Sequence, residues 1–256
     1  MKTPVRDQVN ALDAAAYFNL MARMKKENPP VAEDAPMVAR MAKIGIVPRQ
    51  SFDLTRLSLE AQHAVREAPK AALAKITCYF KEAGKFQNGW VFPKVTGIYG
   101  TQYLDRATIA FYGLGANRPH DAIYPTSEVD TDGKPYSGAN KYVILFDKGQ
   151  MPPAKGFWSL AMNDADYFFV ANPLYRYTLS ARDKLKTNAD GSVDLLIGHE
   201  SPEKSEESNW LPAPAERFVL MLRLYWPRET HPSLLDGITP RARVTTDTAA
   251  LPHGPR

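Results

Sequence analysis

Residues 1–83 hold a single glycine, Gly45, whereas residues 84–256 hold fourteen. Glycine weakens a helix interior by about 1 kcal/mol relative to alanine and is favoured in turns, where a left-handed backbone is needed. This asymmetry predicts a chain that is helical first and strand-rich afterwards. Apolar periodicity agrees. Val9, Leu12, Ala16, Leu20 and Met24 recur at helical spacing, which predicts a helix over Gln8–Lys26 that ends at Asn28-Pro29-Pro30. A second helix is expected over Ala32–Lys43, with Gly45 just past its end. A third is expected over Leu59–Ala83, capped by Ser58 and kinked or split at Pro69.

From Phe86 onward the texture is that of short strands and turns, interrupted by one helical stretch at 103–114 (YLDRATIAFYGL). Strands are expected over Ile123–Val129, Lys141–Phe146, Gly156–Met162, Leu174–Leu179, Val193–His199 and Arg217–Trp226. Asp190-Gly191 marks a tight turn. Both faces of the Arg217–Trp226 run read as buried, which places it centrally. The fold class expected is α+β: an antiparallel, jelly-roll-like β-sandwich with an N-terminal helical layer packed on or inserted into it. The expected organisation is a helical layer at 1–85, a sandwich at 86–228 and a polar C-terminal tail at 229–256, forming one structural unit.

Charge narrows the partners. Residues 1–85 carry 14 Lys/Arg against 9 Asp/Glu, and the rest carry 18 against 19. The excess is spread thinly, without the dense basic and aromatic patch of a nucleic-acid groove, so no nucleic-acid partner is expected. No apolar run reaches 18 residues, so no transmembrane segment is expected. The N-terminus lacks the apolar core of a secretion leader, which suggests a cytoplasmic protein, or a periplasmic or secreted one if a leader has been trimmed. Cys78 is the one cysteine, which excludes an internal disulfide. It lies beside Ile76 and Phe80 and reads as a small buried hydrophobe.

Familiar catalytic signatures are missing: no GxSxG elbow, P-loop, GxGxxG or HExxH occurs. His63, His120, His199, His231 and His253 are far apart, and no metal site or cofactor is expected. Asp130-Thr131-Asp132-Gly133 resembles the start of a calcium loop, but a hairpin turn explains it better. More informative are large polar residues set inside apolar strands. Arg223 lies between Leu222 and Leu224, and Arg176 lies between Tyr175 and Tyr177, with Arg182-Asp183 shortly after. A buried guanidinium left bare costs several kcal/mol, so each needs a partner. One reading is an internal network with Asp183, Asp121 or Asp194. The other is a cleft in which arginine orients a carboxylate or another polar group among aromatics such as Tyr103, Phe157, Trp158, Tyr177 and Trp210.

The blocks KYVILF, PPAKGFWSLAM, ANPLYRYTLSARD, NADGSVDLLIG, ESNWLPAP and RFVLMLRLYWP follow one another between Asn140 and Pro227. Their order resembles the bacterial family known only as domain of unknown function 1214. Upstream, NPPVAEDAPMVARMAKIGI, NGW and YGTQYLDRATIAFYGLGAN fit the same family, so the resemblance covers roughly residues 8–228. It implies a β-sandwich with associated helices and no settled reaction. Family members commonly carry a preceding partner, domain of unknown function 1254, and a secretion signal; this sequence shows neither.

The function expected is that of an uncharacterised protein with a mostly apolar small-molecule pocket. As a metal-independent enzyme on a small organic compound, it would use Arg176 to orient an anionic or carbonyl oxygen, and Tyr177 or Asp183 for proton transfer. Tyr103, Trp158, Asn209 and Trp210 would line the site, and Arg223 would support it from behind. The alternatives are a non-catalytic binder of a hydrophobic or carbohydrate-like ligand, or a partner-docking subunit. For the last, a homo-oligomer or a companion chain would cover a stripe such as Val9, Leu12, Ala16 and Leu20.

Overall fold

The computed structural model describes residues 3–83, 85–92, 96–230, 234–235 and 243–246, without the side chains of 81–83, 85–87 and 243. His231, His253 and most of the expected tail lie outside the described residues. The chain divides into two compact units, one from Met1–Glu82 and Ile98–Ala116, the other from Ala83–Gly97 and Asn117–Arg256. The helix at 103–114, read from the sequence as part of the strand-rich region, belongs to the first unit.

The first unit is helical: α1 (Val5–Asn10), α2 (Ala14–Glu27), α3 (Ala35–Ala42), α4 (Leu59–Ala83) and α5 (Tyr103–Gly113). The helix expected over Gln8–Lys26 is two helices. Asp13 adopts an extended backbone and its carboxylate accepts the Ala16 N–H at 2.8 Å, which starts a fresh helix there. A 3-10 turn at Ala32–Asp34 leads into α3. Ser58 caps the region of α4 as expected, its Oγ accepting the Ala61 N–H at 3.3 Å. Pro69 neither ends nor splits α4, which runs on through the one rung that proline cannot donate.

Ala14, Ile46, Phe52, Leu54 and Val65 form the core of this unit, with Phe18, Met21, Met41 and Leu57 packed on it. Asn19 fixes the loop: its amide donates to the Phe52 carbonyl and its carbonyl accepts the Phe52 N–H, both at 2.9 Å. The Tyr103 hydroxyl donates to Asp34 at 3.0 Å, and Arg106 pairs with the same carboxylate at 3.3 Å. The guanidinium and the tyrosine hydroxyl hold Asp34 below the usual carboxylate range, although desolvation opposes them. Val65 of α4 is buried, and Cys78 is exposed, not buried as its apolar neighbours suggest.

The second unit is built on two mostly antiparallel sheets. Its strands are β1 (Lys85–Gln87), β2 (Trp90–Phe92), β3 (Ala122–Ile123), β4 (Thr126–Ser127), β5 (Tyr142–Phe146), β6 (Ala154–Asp164), β7 (Thr178–Ser180), β8 (Val193–Gly198), β9 (Trp210–Pro212), β10 (Phe218–Pro227) and β11 (Arg243–Thr246). The larger sheet runs β1-β2-β4-β10-β6-β7, with β3 also on β10; the smaller runs β11-β5-β8-β9, with β8 and β9 parallel. One apolar cluster draws on both sheets, including Tyr142, Ile144, Leu195 and Ile197 from one and Trp158, Leu160, Leu220 and Leu222 from the other. The rings of Tyr136 and Phe218 stack within it at 5.1 Å. The Tyr136 hydroxyl shares a 2.7 Å hydrogen bond with Ser127 Oγ, and burial pushes its pKa up.

Three expectations change here. The strand expected over Leu174–Leu179 is only β7. Asn172 folds residues 172–176 into a turn, its carbonyl accepting the N–H of Leu174 and of Arg176 while its amide donates to the Arg176 carbonyl at 2.9 Å. The strand expected over Ile123–Val129 is the two short strands β3 and β4. The polar tail contributes a strand: β11 pairs with β5 over Arg243–Thr246, and Leu234 and Val244 are buried. Gly138 threads past the chain opposite, where a Cβ would sit 1.8 Å from the Pro214 carbonyl oxygen.

Candidate functional site

Residues directly opposite in paired strands share a sheet face. Phe218, Leu220, Leu222 and Leu224 of β10 are each at most 2% exposed and belong to the core. The other face of β10 presents Val219, Met221, Arg223 and Tyr225, paired with Asn163, Ala161, Ser159 and Phe157 of β6. Ser159 is in turn opposite Ser180 of β7. Val219 is buried, whereas Met221, Arg223 and Tyr225 are half-buried. This corrects the expectation that both faces of the strand are covered.

Arg223 stands in the middle of this face. No described residue accepts a hydrogen bond from its guanidinium or pairs with it as an anion. Its carbon Cζ lies 5.2 Å from the ring centre of Phe169, which is 52% exposed. Burial lowers its pKa, the direction expected when a cation loses water without gaining an anion. Aromatic rings surround it. Tyr225 stacks on Phe157 at 4.5 Å, and Tyr124 meets Tyr225 edge-on at 6.2 Å. Phe169 tilts against Tyr177 at 5.6 Å. A second cation, Arg182, sits 4.3 Å over the Phe157 ring. The same face holds the buried Asn163, whose amide donates to the Tyr167 carbonyl at 2.8 Å. Its carbonyl oxygen is the buried side-chain atom left without a partner among the described residues.

The local backbone builds this face. A register shift between Tyr225 and Pro227 ends the β10–β6 ladder in a bulge, with Trp226 in a left-handed conformation. Gly156 lies opposite the bulge, where a Cβ would come within 2.8 Å of the Tyr225 carbonyl oxygen. The turn made by Asn172 leaves Tyr175 left-handed and 79% exposed.

The residues singled out from the sequence fall in different places. Arg176 donates through one guanidinium nitrogen to the carbonyls of Glu207 and Trp210, the latter at 3.0 Å, so its partners are backbone oxygens and not the carboxylates expected. Asp183 closes a turn by accepting the Ser180 N–H at 2.6 Å and the Ser180 hydroxyl at 2.9 Å. Tyr177 meets the Arg223 group through the ring of Phe169, and no described hydrogen bond joins Arg176, Tyr177 and Asp183. Trp158 is in the core, tilted against Phe146 at 5.9 Å. The buried Asn209 is fully engaged: it accepts the Lys186 N–H at 2.7 Å and donates to the carbonyls of Lys186 and Asp194 at 2.9 and 2.8 Å. Trp210 donates its indole N–H to the Gly198 carbonyl at 3.0 Å. Tyr103 lies in the helical unit, bound to Asp34. Phe169 and Tyr124 carry no local sequence signal for this site, since they lie 54 and 99 residues from Arg223 in the chain.

Asp130 does not stand ready for a cation. Its carboxylate accepts the N–H groups of Asp132 and Lys134 and the Thr246 hydroxyl, all at 2.9 Å.

Residues 121–229 match a family model described as "Protein of unknown function (DUF1214)". No curated protein matches the chain. The crystal structure of the VPA0106 protein from Vibrio parahaemolyticus is 20% identical with a TM-score of 0.57, the match covering 84% of this chain and 51% of that one. The crystal structure of an uncharacterized protein from Burkholderia cenocepacia is 14% identical with a TM-score of 0.36, covering 86% of this chain and 51% of that one. The chain therefore spans about half the length of these solved structures. With the Vibrio protein it shares a fold. No helix among the described residues is long and apolar enough to cross a membrane.

Proposed function

From a chain whose residues 121–229 match the DUF1214 family, we propose a binding protein for a small organic anion, held on the outward face of the larger sheet. One observation carries this reading: the half-buried Arg223 guanidinium has no anionic or hydrogen-bonded partner among the described residues and lies beside the exposed ring of Phe169. A desolvated guanidinium is costly unless an anion joins it, and arginine is suited to a planar carboxylate held by two parallel hydrogen bonds. Phe169 and the Phe157–Tyr225 stack offer apolar area for the body of the ligand. Arg182 adds a second positive charge over Phe157. An aromatic or branched aliphatic carboxylate suits these groups.

Binding is favoured over catalysis because two of the three residues expected to carry the chemistry, the orienting Arg176 and the proton-transfer candidate Asp183, have other work. Asp183 holds a turn and Arg176 holds backbone carbonyls. We also infer that the two sheets are the layers of a jelly-roll-like sandwich, an inference supported by the apolar cluster they share.

Titration calorimetry with benzoate and with benzyl alcohol tests the binding reading. Benzoate is expected to bind and the alcohol is not, and Arg223→Gln is expected to abolish benzoate binding at unchanged melting temperature. Equal binding of the acid by the variant would overturn the proposal.

A further inference from the structure

The helical unit carries a second, separate feature: an open groove of about 580 Å3 along α2, within the size range of small-molecule sites. Ala16 and Leu20, one turn apart on α2, and Leu12 in the turn before it give the groove an apolar lining. Arg23, Lys26 and Arg49 supply three cations, and no carboxylate lines it. None of the three makes an ion pair or a side-chain hydrogen bond with a described residue.

The far wall is held in place. Arg49 has a left-handed backbone at φ 68°, unusual outside glycine, and its N–H donates to the Ala22 carbonyl of α2 at 3.2 Å. Two residues past Gln50, the paired bonds of Asn19 to Phe52 tie the same loop to the same helix. The loop that carries Arg49, Gln50 and Ser51 is thus fixed at both ends, and the groove between it and α2 is preformed.

We propose that this groove binds a single-chain anionic amphiphile, its carboxylate set among Arg23, Lys26 and Arg49 and its aliphatic tail along Leu12, Ala16 and Leu20. The uncompensated positive charge selects the head and the apolar lining selects the tail. The groove's volume is that of a small molecule, which argues against a helix of a partner protein as occupant.

Titration calorimetry of the full chain with sodium dodecanoate, below its micelle concentration, tests this. Dodecyltrimethylammonium serves as the charge-reversed control. One dodecanoate is expected to bind per chain and the cationic amphiphile is not. Lys26→Gln and Arg49→Gln are each expected to weaken dodecanoate about tenfold, the usual return of one charge-assisted contact. Ala16→Trp, at an exposed helix position, is expected to block the tail without unfolding the protein. Arg223→Gln is expected to bind dodecanoate as the parent does. Equal binding of both amphiphiles, no binding of dodecanoate, or unchanged affinity in Lys26→Gln and Arg49→Gln would each overturn the proposal. So would loss of binding in Arg223→Gln, which would assign the amphiphile to the sheet face. Binding to anionic vesicles without binding of free dodecanoate would also overturn it, in favour of a membrane surface.

Discussion

The two faces of β10 are made by alternate residues of one ten-residue strand, yet they differ in burial and charge from Met221 onward. The inner face is Phe218, Leu220, Leu222 and Leu224, all within the core. The outer face begins with the buried Val219 and continues with Met221, Arg223 and Tyr225, half-buried and bearing a cation without a described counter-ion. Strand geometry permits this because successive side chains point to opposite sides of the sheet. The inner face can therefore be selected for packing while the outer face retains a residue that packing alone would reject. On the binding proposal, stability and recognition lie one residue apart in sequence, and substitutions on the two faces should separate them in experiment.

The largest effect belongs inside. Leu220→Ala removes a fully buried side chain at the centre of the shared cluster. It should cost about 3 kcal/mol by the lost transfer energy and the cavity left behind, measured by urea unfolding. A cost under about 1 kcal/mol would mean that the inner face is loosely packed. Asn209→Ala comes next. It strips the hydrogen bonds that hold the Lys186 backbone and the Asp194 carbonyl to the start of β9. Leaving those buried groups unsatisfied should cost about 2 kcal/mol. The same variant should leave benzoate binding intact, since Asn209 stabilises the fold and does not face Arg223.

How far these roles were legible in the sequence depends on the range of the interactions. The helical-then-strand order followed from glycine, and Arg223 stood out because an arginine inside RFVLMLRLYW breaks the expected pattern. The structure leaves this arginine half-buried and without an anionic partner among the described residues. Arg176 looked the same in sequence, flanked by tyrosines, but two backbone carbonyls from the Glu207–Trp210 segment satisfy it. No local pattern distinguishes the two arginines, because the deciding partners lie more than 30 residues away for Arg176 and more than 50 for the Phe169 that covers Arg223. The Leu174–Leu179 strand failed for the opposite reason. Its alternation was genuine, but a local device, the Asn172 side chain, bent the backbone first.

A smaller effect, and one that depends on pH, is expected at Asp130, away from both faces. Burial alone would raise this carboxyl's pKa. Hydrogen bonds from Lys134, Thr246 and Asp132 more than offset it, and the pKa lies below the usual carboxylate value. A depressed folded-state pKa contributes stability above the unfolded pKa and loses it as pH falls through the folded value. Asp130→Asn should therefore cost about 1 kcal/mol at neutral pH. The gap between parent and variant should close as pH is lowered through and below the carboxylate range. Urea unfolding at pH 7 and pH 3 measures it; a gap that widens toward acid would mean that Asp130 is protonated in the folded protein.

The smallest change in stability is expected where the change in function is largest. Arg223→Met keeps the length and apolar stem of the side chain and removes a guanidinium that gains no described anion in return for its lost hydration. Replacing a desolvated, unpaired charge by an apolar group of similar size is commonly neutral or stabilising. The variant should unfold within about 0.5 kcal/mol of the parent, or above it, while benzoate binding disappears. Set beside Leu220→Ala, the result is a crossed pair: one face loses stability and keeps the ligand, the other keeps stability and loses it. If Arg223→Met instead unfolds by several kcal/mol, Arg223 is an ordinary structural member of the sheet, and the division of labour between the two faces of β10 does not exist.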